Sequence, residues 1–117
     1  AVEITRRAHR AGIPIVAGTD SLGSGDEGAW VEPNLHTELR LLVQAAGLST
    51  TEALAAATRT AARTMGTLDE RGTVEAGKLA DLVILDADPV ADITNTTRIR
   101  MVVKRGAFYP GGPTLAK

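Results

Sequence analysis

Cysteine is missing from the 117 residues. Its absence excludes disulfides, a thiolate nucleophile, cysteine-ligated zinc and the H-x-E…P-C-x-x-C signature of the zinc deaminases. Neither charge dominates: 13 Lys and Arg against 14 Asp and Glu leave a net charge of −1. There is then no basic field to gather nucleic acid or an anionic membrane. No apolar run is long enough to cross a bilayer. The first residues lack the pattern of a secretory signal, and cytoplasmic residence is the expectation. Walker A, HExxH and serine nucleophile-elbow patterns are also missing. What is present, 44% hydrophobic and 23% charged residues, suits a soluble globular chain. The length allows one domain with a core and is too short for two ordinary ones.

The chain opens with Val2, Ile4 and Ala8 near one face and Arg6, Arg7 and Arg10 largely on the other. That pattern predicts an amphipathic helix over residues 1–11, stopped by Gly12. Ile13, Ile15, Val16 and Ala17 follow at once and read as a short buried strand. It ends in Gly18 and presents a carboxylate, Asp20. In α/β enzymes chemistry gathers beyond the carboxyl ends of strands, where loops vary on a rigid sheet. Asp20 is therefore a candidate metal ligand or general base.

Residues 21–33 are rich in Gly and Ser and carry the only tryptophan, Trp30. A second helix is predicted from Asn34, as N-cap, to Ala46, with Leu35, Leu39, Leu42, Val43 and Ala46 as its stripe and Gly47 as its stop. Ser49 and Glu52 form a capping box that opens a third helix. Its expected buried stripe is Leu54, Ala57, Ala61 and Met65, and Gly66 ends it.

From Gly72 the periodicity changes. Gly77 and Lys78 suggest a turn, and the apolar run Leu82–Leu85 suggests a strand covered on both sides. Asp88-Pro89 begins a loop. Ile99, Met101 and Val103 alternate with Arg100, Val102 and Lys104 as a half-exposed strand. Arg105-Gly106 turns the chain into a last strand over residues 107–109. Residues 1–66 are thus helices around one strand, and residues 67–117 a small antiparallel sheet. A lone strand leaves its backbone groups unpaired, so the front part reads as the last turn of something larger. The missing initiator Met adds to the expectation of a longer parent.

The order of several short motifs resembles the metal-dependent amidohydrolase superfamily, in the branch of imidazolonepropionases and Xaa-Pro dipeptidase-like enzymes. The motifs are Gly18-Thr19-Asp20, His36-Thr37-Glu38-Leu39, Ala46-Gly47-Leu48-Ser49 with Glu52-Ala53-Leu54, Ala57-Thr58 with Ala61-Ala62, and the run from Gly72 through Lys78 and Asp81 to Val83. The resemblance implies an α/β fold: residues 1–66 as the end of a (β/α)8 barrel, residues 67–117 as the C-terminal share of a small β-sandwich. It also implies that Asp20 binds a divalent metal, usually zinc, and takes the proton from the metal-bound water that attacks the substrate. The physics agrees, since a metal lowers the pKa of bound water to about 7.

The departures are as informative. The family's His-x-His, its bridging lysine and two later histidines have no counterpart, and Lys78, Lys104 and Lys117 fall in the sheet part or the tail. A catalytic zinc takes three protein ligands. The chain alone is therefore expected to bind metal weakly at most and to hydrolyse nothing. The expected parent enzyme hydrolyses an amide or peptide bond of a small molecule. The chain alone is expected to form a homo-oligomer or domain-swapped assembly. A free-standing, non-catalytic α+β association module, or a degenerate remnant, is the alternative.

The other signals are lesser. His36 can orient substrate or simply sit at a helix start. Trp30 can line the substrate mouth or anchor its loop by packing. His9 reads as a solvated face residue. Gly23 to Gly28 matches G-x-G-x-x-G, but no helix follows directly and Asp26-Glu27 would repel phosphate. Asn95-Thr96-Thr97 is a glycosylation sequon that matters only outside the cell.

Overall fold

The computed structural model describes residues 2–19 and 35–110. Asp20, Trp30, the proposed N-cap Asn34 and the Gly23–Gly28 run lie outside them. Four helices come first: α1 (Val2–Arg10), α2 (Leu35–Gln44), α3 (Thr50–Ala57) and α4 (Arg59–Thr64). Three strands follow, β1 (Leu82–Leu85), β2 (Ile99–Lys104) and β3 (Ala107–Pro110), with a 3-10 helix at Ile93–Thr97 before β2. The strands form one antiparallel sheet in the order β1-β2-β3. No described helix is long and apolar enough to cross a membrane.

One core joins the parts. Leu39 and Leu42 of α2, Ala46 and Leu48 just after it, and Ala53 and Ala56 of α3 enclose Ile93, the first residue of the 3-10 helix. The sheet half thus plugs the helical half through one isoleucine, 3% exposed. Burying such a side chain is worth about 1.5–3 kcal/mol. The caps form as their residues dictate. Ser49 Oγ accepts the Glu52 N–H at 3.1 Å, and Glu52 accepts the Ser49 N–H at 2.7 Å. After α2 the chain turns at Gly47, where φ is +85°, a conformation that is cheap only without a Cβ.

Four expectations are corrected. First, α1 buries nothing, and Ile4 is 75% exposed. Arg6, placed on the polar face, instead turns inward and donates to the Ala45 carbonyl at the end of α2. A cation at a helix C-terminus satisfies an orphan carbonyl and meets the negative end of the dipole. His9 is not merely solvated: its Nε2 lies 3.5 Å from Glu52. Polar contacts, rather than an apolar stripe, hold α1.

Second, residues 13–19 enter no regular secondary structure, and Ile13 is 57% exposed. Ile15 and Ala17 pack on the core, while Val16 faces outward. A strand exists through its neighbours' hydrogen bonds, and no described strand pairs with this segment.

Third, the helix after Ser49 breaks at Thr58 (φ −127°, ψ −90°) into α3 and α4. The Thr58 hydroxyl donates back to the Leu54 carbonyl at 2.7 Å, a local bond of the kind that bends helices. Leu54 and Ala57 pack half-buried on the core as expected, but the fully buried positions are Ala53, Ala56 and Ala62, and Met65 is 76% exposed. Fourth, β1 is not covered on both sides. Among the described residues it is an edge strand, and Val83 is 56% exposed.

The segment from Gly72 to Asp81 is a polar clamp between α4 and the sheet. Lys78 Nζ donates to the Leu68 carbonyl and the Thr73 hydroxyl, both at 2.6 Å, and pairs with Glu75 at 2.9 Å. The Leu79 N–H reaches the Glu70 carbonyl at 2.8 Å. Asp81 accepts the Arg105 N–H at 2.8 Å and so holds the β2–β3 turn, where Arg105 has φ +49°.

Among the described residues four carboxylates are held below their ordinary pKa. The causes are the Ser49 backbone N–H at Glu52, the Lys78 ammonium at Glu75, the Arg105 N–H at Asp81, and the Thr94 hydroxyl and N–H at Asp92. A carboxylate with a lowered folded-state pKa adds stability that is complete above its unfolded pKa and lost as pH falls through the folded one. The urea midpoint is therefore expected to hold from neutrality to about pH 5 and to fall steadily below about pH 4. A midpoint that rises on acidification would contradict these four contacts.

Candidate functional site

The segment that leads to Asp20 lies between α2 and α3. Two successive N–H groups are taken: Ala17 donates to the Ala56 carbonyl at 3.1 Å, and Gly18 to Glu38 Oε1 at 3.4 Å. Ala56 belongs to the last turn of α3, where carbonyls lack intrahelical partners. Glu38 stands in the first turn of α2, where a carboxylate is favoured by the helix dipole. Glu38 belongs to the His36-Thr37-Glu38-Leu39 motif, which by itself assigns the carboxylate no role. Its partner is 20 residues away, so no local pattern reveals the contact.

His36, two residues earlier on α2, reaches the sheet half. Its Nδ1 lies 3.1 Å from the Thr96 hydroxyl. That hydroxyl donates to the Ile93 carbonyl at 2.9 Å, so its oxygen is left to accept. Nδ1 is then the protonated nitrogen, and in the neutral ring Nε2 keeps the lone pair. Thr96 is 7% exposed, and this bond fixes the ring orientation against the same 3-10 helix whose Ile93 fills the core. The structure does not bring His36 and Glu38 into a metal cluster. Among the described residues no group of three or more His, Asp or Glu side chains stands close enough to hold an ion. By themselves they do not fit the divalent metal that the resemblance implies.

The sequence model of the amidohydrolase family matches residues 2–108. The chain belongs to the amidohydrolase family. Among its relatives, the imidazolonepropionase of Mesorhizobium japonicum is 38% identical over 84 residues, covering 72% of this chain and 20% of the relative. That of Thermoplasma volcanium is 33% identical over 101 residues, covering 86% and 23%. Among solved structures, a Xaa-Pro dipeptidase with bound methionine superposes with a TM-score of 0.80 at 30% identity, over 94% of this chain and 25% of that one. Phenylurea hydrolase B gives 0.78 at 36% identity, over 90% and 26%. This amidohydrolase chain therefore spans about a fifth to a quarter of the proteins it matches.

Proposed function

We propose that these residues are the C-terminal part of an enzyme that hydrolyses an amide or peptide C–N bond of a small molecule. The observation that carries this reading is the superposition of nearly the whole chain on a Xaa-Pro dipeptidase. The sequence likeness to imidazolonepropionases supports it.

In this reading α1, residues 13–19 and α2 to α4 are the closing helix–strand–helix units of a (β/α)8 barrel, and the clamp and sheet are a share of the adjoining β-sandwich. That no described strand pairs with residues 13–17 supports that assignment, because a barrel would provide strands on both sides. Asp20 then stands just beyond a strand's carboxyl end and accepts a proton from the attacking water. Zinc is the ion that the resemblance implies, and when bound it polarises water and carbonyl. Asp20 would be this chain's ligand to it, and the remaining donors would come from other parts of the family-length polypeptide. His36 would orient substrate through Nε2, its ring held by Thr96.

The test is amine release by the family-length polypeptide from N-acyl amino acids and Xaa-Pro dipeptides, with imidazolone ring opening assayed in parallel. Turnover of at least one C–N substrate is expected. Failure on all of them would overturn the reading.

A further inference from the structure

The end of α3 has an accountable set of carbonyls. Leu54 O takes the Thr58 hydroxyl at 2.7 Å, and Ala55 O takes the Thr58 N–H at 3.2 Å. Ala56 O takes the N–H of Ala17 at 3.1 Å. The break at Thr58 therefore ends the helix where a carbonyl is needed by a segment 39 positions earlier. On the neighbouring residue the Gly18 N–H meets Glu38 Oε1 at 3.4 Å, a long contact strengthened by the carboxylate's charge. Two acceptors from two different helices thus grip consecutive peptide groups, and Asp20 is two residues further on.

We infer that Glu38 is a positioning residue for hydrolysis: together with the Ala56 carbonyl it fixes the backbone from which the chain reaches Asp20. The inference rests on the proposed role of Asp20. A grip on the backbone is a sensible device there, because Gly18 has no side chain to wedge it and a Cβ at this position would meet no described residue within 4 Å. Among the described residues it is hydrogen bonds, not side-chain packing, that hold this position. A displacement of about 1 Å at a reacting group can cost about 10²-fold in rate. Loss of the Glu38 acceptor should accordingly act on turnover more than on substrate affinity.

The experiment compares Glu38→Ala, Glu38→Gln and Asp20→Asn in the family-length polypeptide, reading kcat, KM and hydrogen exchange at the Gly18 amide. Glu38→Ala is expected to lower kcat by about 10-fold or more, to change KM by less than about threefold, and to speed Gly18 exchange. Glu38→Gln keeps an acceptor oxygen and should restore most of both. If Glu38→Ala does not fold, Glu38→Asp, one methylene too short to reach, takes its place with the same expectation. Unchanged kcat or unchanged Gly18 exchange in a folded Glu38 variant, with Asp20→Asn inactive, overturns the positioning role and leaves that of Asp20 standing. Full turnover by Asp20→Asn removes the role of Asp20 and this inference with it. Gly18 exchange that still responds to Glu38 then marks the contact as structural.

Discussion

Asp20→Asn in the family-length polypeptide is expected to lower kcat by about 10²–10⁴-fold with little change in KM. Asparagine has the shape of aspartate but is neutral, so it cannot hold the proton removed from the attacking water. It is also a poorer ligand for a divalent cation, since it loses the charge that attracts the ion. The effect should fall on turnover, because substrate affinity in this reading comes from barrel loops elsewhere. Asp69 is a suitable control: it is exposed, and Asp69→Asn should leave turnover unchanged. Steady-state kinetics on both variants make the comparison. Equal behaviour of the two would remove Asp20 from the mechanism.

The largest effect on stability is expected at Gly72. A Cβ there would lie 2.5 Å from the Ala62 Cβ, 3.2 Å from the Thr58 carbonyl oxygen and 3.4 Å from the Arg59 Cα. None of these neighbours is the end of a flexible side chain. The residue also has φ +95°, where an L side chain is strained. Gly77 has nearly the same backbone, φ +89°, but open space around it. The two alanine variants therefore separate strain from collision. Gly77→Ala should cost roughly 1–2 kcal/mol from backbone strain alone. Gly72→Ala should cost about 1–3 kcal/mol more, the usual range for overpacking. Urea unfolding of both variants gives the difference directly, and equal losses would mean that α4 and the clamp are not in close contact. The comparison bears on function because Thr58, against which Gly72 packs, ends the helix that presents the Ala56 carbonyl.

Local signals in the sequence were legible. The Ser49–Glu52 box, the turn at Gly47 and the Arg105-Gly106 hairpin turn depend on residues a few positions apart, and the structure shows each of them. Long-range choices were not. In an alanine-rich helix, hydrophobicity cannot say which alanine faces the core. Of the expected stripe, Leu54 and Ala57 are half-buried against the core, but Ala53 and Ala56 are the fully buried positions, and beyond the break at Thr58 Ala62 is buried while Met65 is exposed. Arg6 looked like a solvent residue because its acceptor, the Ala45 carbonyl, is 39 positions away. Glu38 escaped notice for the same reason, since nothing local ties it to Gly18. The motif from Gly72 to Asp81 helped identify the family, yet its polar groups serve architecture: Lys78 and Asp81 fasten loops and a turn.

The central claim is that residues 13–17 become a barrel strand, with neighbours on both sides, in the family-length polypeptide. Pro14 has no N–H, Ile13 donates to the Ala8 carbonyl and Ala17 to that of Ala56, while Ile15 and Val16 make no backbone bond to any described residue. Hydrogen exchange at the Ile15 and Val16 amides, compared between the 117-residue chain and the family-length polypeptide, is the most direct measurement. Slow exchange in the longer protein and fast exchange in the shorter one is the predicted result. Equally fast exchange in both would contradict the barrel assignment and, with it, the placing of Asp20 at a strand's end.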